Sequence, residues 1–218
     1  MQSRYKYPRT PHIPQSPGAT NDDKVLNDLN HLMGQQVVIT EKMDGENTTL
    51  YSDYYSHARS IDSQHHPSRN WVKAFHSEIG HQINTGWRIC GENLYARHSI
   101  PYDELESYFY AFSIWDESNF CISWNATVIY CNHFGITTVP VLWKGLLTES
   151  ILNLLIQNLD LEKQEGLVIR LAAGFEYNKF DKSVAKYVRK NHVTTDKHWM
   201  SQAIITNGLK DQFLTINN

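Results

Sequence analysis

The chain has 218 residues, enough for one sizeable core, with 41% apolar and 20% charged residues. Its net charge of −3 excludes a global positive field, so any contact with nucleic acid must be local. Three cysteines without a CxxC pair fit a reducing compartment, and no apolar run or signal-like start is present, so a cytoplasmic protein without a membrane partner is expected.

Residues 1–20 hold four of the seven prolines (Pro8, Pro11, Pro14, Pro17) together with Arg4, Lys6 and Arg9, which predicts an extended basic arm. Residues 21–218 are expected to form a single domain. The stripe Val25, Leu26, Leu29, Leu32 and Met33, ending at Gly34, predicts a helix over 21–33. Strands are expected at 36–42 and 48–54 around an Asp44-Gly45 turn, as a buried hairpin. Trp71, Phe75 and Ile79 recur at helical spacing and predict a helix over 70–83. Further strands are expected at 86–93, 108–115, 121–124 and 139–143. Thr148 can cap a helix with Ile151, Leu154, Leu155 and Leu159 on its apolar face. Strands at 165–171 and 183–190 follow, and the pattern after Trp199 is ambiguous. Strands outnumber helices without regular alternation, which predicts an α+β fold built on antiparallel sheets.

Several of these strands carry single charges beside glycines. Alternation puts Lys42 and Asp44 on one face, Glu165 with Leu167 and Ile169, and Lys186 with Lys190, with Arg189 opposite. Glu92 follows Gly91, where a backbone can approach a ligand closely. Taken singly, each has an ordinary explanation: a hairpin fragment at Lys42, a solvated strand start at Glu165, surface ion pairs at Arg59 and Arg170, core packing at Phe112. Convergent charges at strand ends also describe a sheet-lined cleft.

In order, "KMDG" (42–45), "ARS" (58–60), "CGEN" (90–93), "FYAFSIWD" (109–116), "EGLVIR" (165–170) and "AKYVRK" (185–190) resemble the motifs of the covalent nucleotidyltransferase superfamily. RNA ligases, DNA ligases and mRNA capping enzymes belong to it. "EKMDGEN" with Asn47 is most similar to ATP-dependent RNA ligases of the phage nick-sealing type, in a minimal form. Two departures stand out. Ser113 occupies a position where many relatives carry aspartate, with Asp116 nearby, and Val188 falls where a second lysine is usual, leaving that role to Arg189 or Lys190.

The resemblance implies two antiparallel β-sheets with flanking helices around a nucleotide cleft, a nucleotidyltransferase or ATP-grasp-like ligase domain. It implies that Lys42 attacks the α-phosphate of ATP, expelling pyrophosphate and keeping AMP on Nζ. Free lysine titrates near about 10.4, so the amine must be depressed by burial and by neighbouring cations, Lys186 and Lys190. Those cations would also stabilise phosphate charge. Glu165 is the implied metal ligand for Mg²⁺ or Mn²⁺ and a catalytic residue. Glu41, Asp44, Arg59, Glu92, Phe112 and Arg189 are implied to bind nucleotide, with Glu92 on ribose and Phe112 stacked on adenine. Asn47 and Arg59 would take the 5′-phosphate of RNA, whose 3′-OH end then completes sealing, as in RNA repair.

Between Lys179 and Lys197 six basic residues face only Asp181 and Asp196, a local patch suited to a polyanion. The histidines, including His65, His66, His76, His81, His192 and His198, show no zinc spacing, and structural or surface roles are expected for them. Only 28 residues follow Lys190, too few for a C-terminal OB-fold. That disfavours the alternatives of a DNA ligase or capping-type enzyme, and it leaves room for an accessory protein to grip the substrate. A non-catalytic nucleotide- or RNA-binding module is the remaining alternative, against which the retained Lys42, Glu92, Glu165 and Lys186 weigh.

Overall fold

Residues 3–190 and 203–210 are described by the structure, a computed structural model, and their strands sort into two antiparallel sheets. The strands are β1 (Gln36–Glu41), β2 (Glu46–Tyr51), β3 (Ser56–Ala58), β4 (Arg88–Asn93) and β5 (Phe109–Trp115). They continue with β6 (Phe120–Cys121), β7 (Val141–Leu146), β8 (Gly166–Leu171), β9 (Phe175–Glu176) and β10 (Val184–Val188). The first sheet has the order β10-β8-β1-β7 and the second β3-β2-β4-β5-β6-β9. The helices are α1 (Asn70–Ile79), α2 (Trp124–His133) and α3 (Glu149–Gln157). This is the α+β, two-sheet architecture expected from the sequence. No helix among the described residues is long and apolar enough to cross a membrane.

β1 is the middle of the first sheet and reads as a continuous apolar run because both its faces are covered. Val37 and Ile39 pack with Leu152 and Leu159 near α3, and Val38 turns the other way, against Met43, Leu94 and Val139. Fully burying such side chains contributes roughly 1.5–3 kcal/mol each.

The hairpin expected around Asp44-Gly45 does not form. β1 already has β7 and β8 as neighbours, so the chain leaves the first sheet at Lys42 and enters the second as β2, whose partners are β3 and β4. Gly45 makes this crossing against β4: a Cβ there would lie 2.5 Å from the Asn93 carbonyl oxygen and 2.8 Å from Leu94 Cδ2. The expected helix over 21–33 is also absent. Its polar residues bond locally instead, Asp23 accepting from Thr20 and Asp28 from the Asn30 N–H. Its backbone pairs with the N-terminal segment, His12 N–H donating to the Lys24 carbonyl and Leu26 N–H to that of His12. Leu29 and Leu32 still reach the core, while Val25 is 46% exposed.

Two helices differ from expectation for reasons of periodicity. α2 follows the expected strand at 121–124, which stops at Cys121; Ser123 caps it by accepting from the Ala126 N–H. Its apolar residues lie all round the axis, Ile129 being 70% exposed, so no stripe announces it. α3 is capped by Thr148 as expected, but it buries Leu152 and leaves Leu154 56% exposed. The inward face is therefore Leu152, Leu155, Ile156 and Leu159, one residue round from Ile151 and Leu154.

Residues 11–18 run beside β10. Lys186 N–H donates to the Pro11 carbonyl, Ile13 N–H to that of Lys186 and Gly18 N–H to that of Val188. Tyr7, His12 and Ile13 are buried. On the other side of β10, Gly166 opens β8 opposite Val188, and a Cβ there would collide with the Tyr187 carbonyl. Gly166→Ala is expected to lower unfolding free energy by about 1–3 kcal/mol in urea titrations, from overpacking at a backbone contact. An unchanged midpoint would mean the two strands can separate without cost.

Candidate active site

A cleft of about 550 Å³ lies between the sheets, and Glu41, Lys42, Asn47, Arg59, Glu92, Phe112 and Lys186 all line it. Lys42 stands where the chain crosses from one sheet to the other, its N–H donating to the Gly166 carbonyl. Its ammonium donates to Glu165, a carboxylate 5% exposed on the residue before β8. Arg189 N–H holds the Glu165 carbonyl at 2.9 Å, which ties this residue to the end of β10.

Across the cleft, Asn47 and Glu92 face each other in the β2–β4 register. Glu92 Oε1 accepts from the Gly45 N–H at 3.3 Å, and the buried Asn47 Oδ1 has no hydrogen-bond partner. Phe112 occupies a bulge: Ser113 pairs with Cys90 and Ala111 with Gly91, so Phe112 is the extra residue between them. Its ring lies 5.1 Å edge-on from Tyr7. Gly91 does not approach a ligand; a Cβ there would meet the Phe109 ring and lie 2.7 Å from the Tyr110 carbonyl.

Other expected residues lie elsewhere. Asp44 points away from Lys42, because strand alternation ends at Glu41. Its Oδ2 accepts from Ser99 N–H (2.8 Å), Ser99 hydroxyl (2.6 Å) and Ile100 N–H (2.9 Å), anchoring the loop over the cleft. Arg189 donates to the Leu161 carbonyl, and Lys190 is exposed beyond the end of β10. Ser113 is buried and accepts from the Trp115 indole, and Asp116 caps a turn by accepting from Ser118 and Phe120 N–H. In the basic stretch, Lys179 pairs with Glu176, and Asp181 with Lys24; Lys197, Asp196, His192 and His198 lie outside the described residues, and of the tail after Trp199 only residues 203–210 are described, where Thr206 bridges to Ala96 and Leu209 to Leu105.

The cleft also contains residues that sequence patterning passed over. Arg170 is 4% exposed rather than a surface ion-pair partner; it donates to the Phe112 carbonyl beneath the bulge, and its Nε has no partner. Arg69 forms a two-point ion pair with Glu46, with contacts of 2.7 and 2.5 Å. Breaking one side of such a buried pair costs about 3–5 kcal/mol. Tyr7, Thr10 and His98 complete the lining from segments without regular structure. Only folding brings them there, although the four apolar or aromatic positions around "EGLVIR" hinted that Arg170 sits in a buried strand.

Charge in the cleft is unevenly matched. Burial works against the Lys42 ammonium, but Glu165, Glu92 and Asp44 outweigh it and raise its pKa, opposite to the expected depression. Burial, with Glu165 and Asp44 adding to it and Lys42 opposing, pushes Glu92 up to about 8. Lys186 is the amine brought down, to about 8, by burial and by Lys42 and Arg59, against Asp23 and Glu165. The ligand-free cleft therefore keeps Lys42 charged and lets Lys186 titrate near neutrality.

The sequence profile of the RNA ligase family matches residues 35–188. A search of curated protein sequences gave no match. Among solved structures, a variant of the Naegleria gruberi RNA ligase with ATP and Mn is similar at TM-score 0.52 and 18% identity, over 74% of this chain and 51% of that one. The same Naegleria enzyme with pyrophosphate gives TM-score 0.52 and 19% identity over 74% and 51%. An archaeal ATP-dependent RNA ligase gives 0.53 and 16% over 74% and 44%. The chain thus spans about half the length of the solved RNA ligases it matches, and at these identities the likeness is one of fold. With six motifs in order, all of them represented in one cleft between two sheets, and a profile match over most of its length, the chain belongs to the RNA ligase family.

Proposed function

We propose that the protein is an ATP-dependent RNA ligase acting through a lysyl-AMP intermediate. The observation that carries this reading is the convergence of Lys42, Lys186, Arg59, Glu92 and Phe112 on one cleft from five separate segments. Lys42 Nζ would attack the α-phosphorus of ATP; the P–N bond forms as the bond to pyrophosphate breaks. Lys42 must first lose a proton, and the hydrogen bond to Glu165 provides its acceptor. Lys186 and Arg59 would carry the negative charge of the phosphate oxygens. Phe112 offers a stacking face, worth about 1–3 kcal/mol per base. AMP then moves to an RNA 5′-phosphate received by Asn47 and Arg59, and a 3′-OH displaces it to seal the strand. The unpartnered Asn47 Oδ1 is an acceptor, so toward a phosphate it is the amide nitrogen that would donate.

The cleft fits a divalent cation held mainly by nucleotide phosphates. No group of three or more metal-ligating side chains occurs among the described residues, so the protein offers such a cation single carboxylates, Glu165 beside Lys42 and Glu92 across the cleft, rather than a cage. Glu165 would be its protein ligand, and bound Mg²⁺ or Mn²⁺ would supply charge neutralisation and polarisation at the phosphate.

Incubation with ATP labelled at the α-phosphate should give one acid-labile AMP adduct per chain, abolished in Lys42→Ala. Absence of an adduct in the unaltered protein would overturn the reading. With an adduct formed, 5′-phosphorylated RNA offered as single strand and as nicked duplex should yield joined product; failure on every substrate would restrict the activity to the first step.

Ionised, Glu92 would accept from ribose hydroxyls through both oxygens, whereas the folded, ligand-free cleft raises it from an ordinary 4.5 to about 8. The folded state then holds a proton that the unfolded chain releases, so this group's contribution to stability is full below about 4.5 and is lost as pH rises toward 8. Urea unfolding at pH 5, 6.5 and 8 should show a decline that is smaller in Glu92→Gln. Equal declines in the two proteins would assign the pH dependence to other groups.

A further inference from the structure

Besides Tyr7 and Thr10 in the cleft lining, the segment before β1 reaches Lys186 through one carboxylate. Asp23 Oδ2 accepts from Thr20 N–H at 3.1 Å and from its hydroxyl at 2.9 Å, and lies 3.5 Å from Nε2 of His12. Asp23 Oδ1 lies 4.0 Å from Lys186 Nζ. His12 is 1% exposed, and its Nδ1 is 2.7 Å from Ser16 Oγ, which accepts the Val188 N–H at 2.9 Å. The contacts form a ring that leaves β10 at Val188, passes through Ser16, His12 and Asp23, and returns to β10 at Lys186. Its geometry is therefore fixed by a single strand.

Lys186 has few other ways to keep its ammonium in place. Lys42 at the end of β1 and Arg59 after β3 face it as like charges, and Glu165 before β8 is already bonded to Lys42. A lysine on a flexible four-carbon stem needs a counter-charge to stay ordered among other cations. Asp23 is the carboxylate that forms an ion pair with Lys186, with His12 on its other oxygen and the Arg59 charge also within its field.

We propose that Asp23, seated by Thr20 and His12, is a positioning residue that holds the Lys186 ammonium at the cleft, making residues 11–23 part of the nucleotide site. This rests on the proposed reading of the cleft as the site of adenylylation. Asp23 touches neither substrate nor reacting atom; it acts through Lys186. Without it, the lysine should lose its proton at lower pH and grip the α-phosphate less well.

Two readouts separate this role from mere folding. Lysine side-chain NMR of the full chain without ATP, with Lys186 assigned by loss of its signal in Lys186→Met, follows the titration directly. The Lys186 midpoint should fall by about one pH unit in Asp23→Asn and return in Asp23→Glu. The alkaline limb of the adenylylation profile should move down by the same amount, with a raised KM for ATP at pH 7.5. If Asp23→Asn does not fold, Thr20→Val, which removes one bond to the carboxylate, should lower the midpoint by a smaller amount. An unchanged Lys186 midpoint in the folded variants overturns the proposal. Should the unaltered protein form no adduct, the adenylylation reading fails, while the NMR midpoint still decides whether Asp23 holds Lys186.

Discussion

The contact between Lys42 and Glu165 closes the end of the first sheet, at the point where the chain leaves it for the second. The chain passes from the first sheet to the second at residues 42–45, and the nucleophile candidate lies at the start of that crossing. Its partner comes from β8, whose start is held by β10 through the Arg189 N–H and whose length pairs with β1. An amine at this place is half-buried with a carboxylate against it, and the cleft takes its shape around that pair.

Held this way, the amine is stored as a cation. The expectation that neighbouring cations depress Lys42 followed from counting lysines in the sequence, but three carboxylates stand nearer. The depressed amine is Lys186, whose surroundings include Lys42 and Arg59. The electrostatic arrangement thus pairs a charged Lys42 with Glu165, while Lys186 and Arg59 remain as the cations facing the open cleft.

Much of this was legible in the sequence where the signal is local. The Lys42, Glu92, Phe112, Glu165 and Lys186 positions sit in short motifs whose order survives low identity, and strand runs such as "VVIT" and "GLVIR" have one interpretation. What patterning missed depends on competition between partners. Residues 21–33 have a helical stripe, yet Asp23 and Asp28 bond their own neighbours, and the backbone around Val25 pairs with His12 instead. β1 and β2 flank a good turn, yet both had better partners in different sheets. Arg189 and Lys190 fell outside the cleft because β10 ends at Val188, so alternation no longer governs them. Arg170, Tyr7 and His98 carry no motif, and distance in sequence hid them.

The bulge in β5 has a further implication. Cys90 and Gly91 are consecutive on β4, yet their partners Ser113 and Ala111 are separated by Phe112. Strand pairing alone has no need of that residue, and accommodating it interrupts the ladder. The sheet would be more regular without it. The ring that this extra residue carries lines the cleft and packs on Tyr7, so an irregularity in one sheet shapes the wall that faces the other.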